Sequence, residues 1–396
     1  MIFWKMNLSN YNVKRKICIV TGTRAEWGLL SRLAAMIRDD DELSLELIAT
    51  NMHLIERYGM TIREIENDGF EVDYRVPMEV EGDSEVATVQ SMGMAMQGFA
   101  EAYDKLRPDM LLVLGDRYEI LAAVSAALIF KIPVAHIGGG EITEGAYDDA
   151  IRHAITKLSH LHFTSTEEYR QNVIQMGENP NKVFNVGAIG VDNILQIPLW
   201  DKQQTEKSLD GFKLDDYTIV VTYHPVTMEH DTAEEQITAL LEALEEVKQL
   251  RIIFTMPNSD TGNQIIAQKI QEWCTLNSHR AIWFTSLGLK RYLSTLQYIR
   301  AVVGNSSSGL VEAPSFDIYT LNIGDRQKGR TAAMSVINCL PEKSEIIQKL
   351  YWILNVPKPL GTFNPYHQNN TAGNIVSVLK DVKIDPYKQF HKVCND

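Results

Sequence analysis

Short apolar runs alternate with longer segments whose apolar positions recur at helical spacing. In the first half, KICIVT (16–21), LSLELIAT, MLLVLGD (110–116), IPVAHIGGG (132–140), LHFTST and KVFNVG read as strands. Between them, the segment after Gly28, residues 84–105, RYEILAAVSAALIF and residues 167–176 read as helices. A polar stretch, DKQQTEKSLDGFKLDD, interrupts the alternation between about 196 and 216. It then restarts with YTIVVTYHP, LRIIFTMP, AIWFTS and AVVGNSSSG, separated by helical segments at 232–249, 262–275 and 288–299. Strands alternating with helices build parallel sheets from βαβ units. The pattern predicts an α/β chain of two doubly wound, Rossmann-like domains facing across a cleft. The first spans 1–195 and the second 196–396, with the last helix able to pack back on the first domain.

In such sheets the ligand loops follow the C-terminal ends of the strands. Six segments fall there: TGTRAEWG, GDR, GGGEITEGAYDD, YHPVT, PNSD and GNSSSG. Turn chemistry alone supplies Gly, Asp, Asn and Ser. It does not supply a His-Pro, two arginines and a serine run at one edge.

Composition narrows the partners. The 396 residues carry 38 Lys+Arg against 51 Asp+Glu, a net charge of −13. That argues against nucleic acid or an anionic membrane as partner and leaves room for a small anion held by a local cationic cluster. Cys18, Cys274, Cys339 and Cys394 are scattered, without zinc spacing, which points to free thiols in a reducing compartment. No apolar run makes a signal segment or a membrane span, so a cytoplasmic location is expected.

The chemistry-bearing residues divide into three groups. For phosphate, Gly140 and Gly145 have P-loop spacing but Ala146 follows instead of Lys, and no GxGxxG follows the first strand. GNSSSGLVEA (304–313) is the better cradle: Ser306, Ser307 and Ser308 can N-cap a helix and offer donors to a diphosphate, with Arg326 close behind in GDRQKGR. For a metal, no HExxH exists and His160 and His162 stand two apart, so none is expected. For proton transfer, Asp116 ends one strand, and Glu141, Glu144, Asp148 and Asp149 follow the next. Two carboxyls on adjacent loops can serve as acid and base. The same acids also read as a salt-linked helix start, with Asp148–Arg152 and Asp149–His153 at i, i+4. His224, restrained by Pro225, faces the same edge as a phosphate or leaving-group contact. The glycines of 138–145 would let backbone approach a sugar.

Taken together, GTRAE, LGDRYE, GGGEITEGAYDDAIRHAITKLSH, HPVT and GNSSSGLVEAP resemble the hydrolysing UDP-N-acetylglucosamine 2-epimerases across nearly the whole chain. The resemblance implies a glycosyltransferase-B-like fold and a reaction without cofactor. UDP and the C2 proton are lost to give 2-acetamidoglucal, and water then adds to give N-acetylmannosamine for sialic-acid-type synthesis. It also implies nucleotide contacts at Arg24, Arg117, His224, Ser306, Ser307, Glu312 and Arg326, and catalytic acids at Asp116 and Asp148. A homodimer or homotetramer is implied as well. One position departs: the family's Glu, two residues after its His, is Gly138 here, which leaves Glu141 as the nearest carboxylate. A sister family acts on UDP- or GDP-linked N,N'-diacetylbacillosamine. A glycosyltransferase of the same fold, or a non-catalytic nucleotide-sugar binder, is the alternative of another class.

Overall fold

The computed structural model describes residues 14–392 apart from 81, 83, 227, 230, 231, 259, 261, 384 and 385. Cys394 lies outside the described residues. Two all-parallel sheets are present. The first is built from β1 (Arg15–Thr21), β2 (Leu43–Thr50), β3 (Tyr74–Val76), β4 (Met110–Leu114), β5 (Val134–Ile137), β6 (Leu161–Thr164) and β7 (Val183–Asn185). The second is built from β8 (Thr218–Thr222), β9 (Arg251–Thr255), β10 (Ala281–Phe284), β11 (Ala301–Gly304), β12 (Tyr319–Ile323) and β13 (Val336–Cys339). Their orders are β3-β2-β1-β4-β5-β6-β7 and β10-β9-β8-β11-β12-β13. The order reverses between β1 and β4 and again between β8 and β11, which opens a crevice at each switch point.

Both faces of each sheet are covered. Along β1, Ile17 and Ile19 face a core containing Leu30, Leu33 and Ile37, while Cys18 and Val20 face another containing Phe99 and Tyr103. That two-sided burial is why the strand reads as an unbroken apolar run rather than an alternating one. The helix after β1 starts at Arg24, five residues ahead of the expected start after Gly28. Thr23 caps it and Glu26 returns the bond, so Thr-x-x-Glu was the signal for its beginning.

The polar run at 196–216 is itself ordered. Asp201 and Gln204 form a capping box on the helix Lys202–Ser208, and Leu209 and Leu214 enter the core beneath β8. Helix Thr371–Asp381 returns to the first sheet, where Ala372, Ile375, Val376 and Leu379 pack with Leu30 and Ile37. The apolar pattern left β3, β12 and β13 unread; β3 has three residues, and YTLNI interleaves polar Thr and Asn with its apolar positions.

Helix Glu85–Leu106 buries Ala87, Ala95, Phe99 and Tyr103 but leaves Val86, Val89, Met94 and Met96 exposed. Leu128 and Ile129, on the adjoining helix Tyr118–Phe130, are exposed too. Among the described residues no helix is long and apolar enough to cross a membrane.

Leu379 is fully buried, so Leu379→Ala should cost about 2–5 kcal/mol of stability. A denaturant midpoint equal to the wild type would mean that this last helix lies outside the cooperative core of the first sheet.

Candidate active site

The C-terminal edges of the two sheets enclose one cleft with a cavity volume of about 390 Å³. Every strand-end loop singled out from the sequence contributes to it: Arg24 after β1, Asp116 and Arg117 after β4, Glu141 and Asp148 after β5, His224 after β8, Asn258 after β9, and Ser306 and Ser307 after β11. Glu312 and Arg326 line it as well.

The carboxyls on the first sheet's side are set apart electrically. Asp116 is ion-paired to Arg152. Burial alone would raise its pKa, but Arg152, then Arg330 and Arg326, hold it below the ordinary carboxylate range. Asp148 is pushed the other way, to about 7, first by burial and then by Asp116 and Asp260, against Arg326 and Arg117. Its Oδ2 is buried and accepts no hydrogen bond among the described residues. The helical pairs expected for this segment are redistributed. His153 Nε2 does lie 3.3 Å from Asp149 Oδ2, but Arg152 reaches Asp149 at 3.4 Å and Asp116. The i+3 geometry and the loop after β4 therefore take the guanidinium that spacing had offered to Asp148.

Glu141 is clamped at both oxygens. Ser165 Oγ donates to Oε1 at 3.0 Å, and Oε2 is ion-paired to Arg330. Its backbone carbonyl accepts from Arg152 Nη1 at 2.8 Å. Of the glycines between 138 and 145, only Gly138 lines the cleft. It has φ +87°, and a Cβ there would find nothing nearer than Glu141 Oε1 at 3.9 Å. A Cβ on Gly140 would lie 2.3 Å from the Tyr169 carbonyl, and one on Gly145 2.3 Å from that of Asp325. Those two glycines pack chain against chain, which corrects the expectation that the whole run opens to a sugar.

On the other side, His224 Nδ1 accepts from the Asn258 N–H at 3.3 Å, which leaves Nε2–H as a donor. Burial, then Arg326, keeps the ring neutral, down at about 3. Asn305 holds His224 in place by accepting from its N–H at 2.7 Å and donating to its carbonyl at 2.8 Å. The serine run does not cap as expected. Ser307 precedes a helix of only four residues, Ser308–Val311, with no side-chain cap bond. The hydroxyls of Ser306 and Ser307 are thereby left for other partners, while Ser308 Oγ meets Tyr292 Oη at 2.5 Å. Burial pushes Glu312 up to about 7.

Arg117 is held from two sides: Nε donates to Glu119 at 2.7 Å, and Nη1 to Asp260 at 3.1 Å across the cleft. Arg24 likewise spans the halves, 2.6 Å from Glu64 and donating to the Ser286 carbonyl at 3.1 Å. Sequence reasoning missed Asp260, Ser165, Tyr292 and Arg330. Arg330 stood in view in GDRQKGR, where only the first arginine was selected; Asp260 belongs to PNSD, noted as a loop without a role.

The model of the UDP-N-acetylglucosamine 2-epimerase family matches residues 35–380. The chain is 42% identical over 325 residues to the GDP/UDP-N,N'-diacetylbacillosamine 2-epimerase (hydrolyzing) of Campylobacter jejuni, covering 82% of this chain and 84% of that one. It is 35% identical over 381 residues to the UDP-N,N'-diacetylbacillosamine 2-epimerase (hydrolyzing) of Legionella pneumophila, covering 96% and 99%. In fold it is similar, with a TM-score of 0.77 and 20% identity, to the crystal structure of UDP-GlcNAc 2-epimerase from Neisseria meningitidis bound to UDP-GlcNAc, over 92% of this chain and 99% of that one. That likeness bears out the two-domain, glycosyltransferase-B-like architecture. The length of these matches makes the chain a member of the UDP-N-acetylglucosamine 2-epimerase family.

Proposed function

We propose that the chain is a hydrolysing 2-epimerase of a nucleotide-linked 2-acetamido sugar, serving sialic-acid-type sugar synthesis. The observation that carries this reading is a pair of neighbouring cleft carboxyls pushed in opposite directions, Asp116 down and Asp148 up. Environments that split two pKa values in this way assign base and acid.

In the first step Asp116, ionised, takes the C2 proton. The C2–H electron pair becomes the C1=C2 double bond, and the C1–O pair leaves with the nucleoside diphosphate, giving a 2-acetamidoglycal. His224 offers Nε2–H to the departing phosphate. Arg24, Arg117 and Arg326, with the hydroxyls of Ser306 and Ser307, supply the remaining charge stabilisation, and Glu312 binds the nucleotide. Preorganised donors of this kind stabilise developing charge more effectively than water does. In the second step Asp148 delivers its proton to the opposite face of C2. Water oriented by Glu141 adds to C1 and gives up a proton. Asp116 returns its proton to solvent, and Asp148 regains one. The scheme calls on no cofactor and no metal.

For the sugar, N,N'-diacetylbacillosamine is supported by the names of two relatives at 42% and 35% identity and by a cleft floor that carries no side chain at Gly138. UDP-N-acetylglucosamine, the substrate in the family's description, is the second reading. A cytoplasmic location accords with nucleotide-sugar chemistry and with the free thiols of Cys18, Cys274 and Cys339. The exposed stripe of Val86, Val89 and Met96 supports a homo-oligomer formed helix against helix. Light scattering at micromolar concentration should give at least twice 44.8 kDa, and a mass at 44.8 kDa would exclude that contact.

Isotope labelling tests the chemistry. UDP-N-acetylglucosamine and UDP- and GDP-N,N'-diacetylbacillosamine are each supplied in D₂O and in ¹⁸O-water without any acceptor. The expected product carries deuterium at C2 and ¹⁸O at C1, with the highest kcat/KM on a diacetylbacillosamine substrate. Protium at C2, or the original oxygen at C1, overturns elimination and rehydration.

The pH profile tests the roles. Asp148 acts in its protonated form, and its pKa lies at about 7, so kcat/KM should fall as pH rises through that value. Activity that rises through the same pH would make Asp148 the base and Asp116 a charge partner only.

A further inference from the structure

Gly138 lines the cleft without a side chain, and the carboxylate nearest to it is that of Glu141, three positions further along the same loop. A long carboxylate side chain on a glycine-rich loop is placed by its partners rather than by its own local chain. Ser165 Oγ supplies one grip, from the first sheet. The second comes from the opposite half: Arg330, in the loop after β12, pairs with Glu141 Oε2.

That loop is docked on the Glu141 loop at successive points. Gly145 sits against the backbone of Asp325 and Arg326, closer than any Cβ would permit. The Glu144 N–H donates to the Lys328 carbonyl at 3.0 Å, and Gly329, at φ +86°, packs on Ile142. Beyond the arginine, the Thr331 N–H donates to Tyr169 Oη at 2.9 Å, and Tyr366 Oη donates to the Thr331 carbonyl at 2.6 Å. Arg330 is thus fixed on both sides, and its side chain is 8% exposed. Its Nη1 donates to Gln327 Oε1 at 3.0 Å. Gln327 in turn donates to the Asn305 carbonyl at 2.9 Å, and Asn305 is the residue that grips His224. An unbroken chain of contacts therefore runs from Glu141 to His224 through Arg330, Gln327 and Asn305.

We infer that Arg330 is a positioning residue. It acts through Glu141, aiming that carboxylate at the reacting carbons only when the loop 325–331 is seated on the loop 141–145, so that approach of the two halves completes the site. The inference rests on the epimerase reading above. A residue that orients a reacting group without binding the nucleotide changes kcat and leaves nucleotide affinity alone, and misplacement by about an ångström costs up to roughly 10²-fold.

The test is a double-mutant cycle on the full-length enzyme with Arg330→Met, Glu141→Gln and the pair, reading kcat, and UDP affinity by calorimetry. Arg330→Met should lower kcat by about 10- to 10²-fold with UDP affinity within about twofold of wild type. Once Glu141 is amidated, removing Arg330 should cost much less than it does in the wild type, leaving only its weaker effect on Asp116. Losses that multiply in the pair, a wild-type kcat in Arg330→Met, or an affinity loss that accounts for the kcat loss each overturn the inference while leaving the epimerase reading intact. Should Arg330→Met fail to fold, Arg330→Lys carries the same cycle. It keeps the charge but not the planar fork, and the same outcomes apply. A wild-type enzyme that turns over none of the three nucleotide sugars overturns the epimerase reading and this inference with it.

Discussion

Everything at the centre of this molecule depends on placing carboxyls out of water without letting them repel one another apart. Glu26, Asp116, Glu119, Glu141, Asp148, Asp260 and Glu312 are all drawn into or beside one cleft, and four arginines, Arg117, Arg152, Arg326 and Arg330, stand among them. A buried carboxylate is tolerable when paired and otherwise shifts toward its neutral form. Both solutions occur here. Asp116 takes Arg152 and stays low, whereas Asp148 takes no cation directly and rises. One shortage of cations, distributed unevenly, thus moves two carboxyls of the same cleft to opposite sides of their ordinary range.

The same pairing ties the halves together. Arg117 to Asp260 and Arg330 to Glu141 each join a residue of the first sheet's loops to one of the second's. Breaking a buried pair leaves an uncompensated charge, which is far costlier than losing an exposed one. Opening the cleft therefore exposes those charges to water, and closing it requires the partners to meet again. Arg117 both lines the cleft and grips Asp260, so an anion drawn to that guanidinium would compete with an interdomain contact.

What could be read from the chain follows from how far apart the interacting residues lie. The strands were legible because each is an apolar run flanked by turn residues, as in LSLELIAT, which is β2 residue for residue. The cleft loops were legible because parallel sheets put all strand C-termini on one edge, so Asp116, His224 and Ser306 could be grouped without knowing the topology. Pairings were not legible. Helical spacing offered Arg152 to Asp148, yet the loop after β4, 36 residues away in sequence, claims it for Asp116. Glu141 and Arg330 are separated by 189 residues, and no periodicity encodes that distance. The glycines misled for the same reason: the atoms that exclude a Cβ at Gly140 and Gly145 belong to Tyr169 and Asp325, which only folding brings near.

Gly138 and Glu141 divide the work of one loop at the floor of the cleft, the first offering bare backbone and the second a carboxylate. A glycine at positive φ leaves the floor of the cleft without a side chain there, and a Cβ would meet Glu141 Oε1 at 3.9 Å and the Gly115 nitrogen at 4.0 Å. The carboxylate nearest to that position, Glu141, takes one of its two anchors, Arg330, from the second sheet's side. Had its only partner been Ser165, one hydrogen bond to a neutral hydroxyl would have left a long, three-torsion side chain free to swing. An arginine held between two tyrosine-anchored backbone bonds and a glutamine removes that freedom. The floor without a side chain at Gly138 and the second-sheet clamp on Glu141 thus belong to one loop: a carboxylate carried on a glycine-rich turn is fastened from across the cleft.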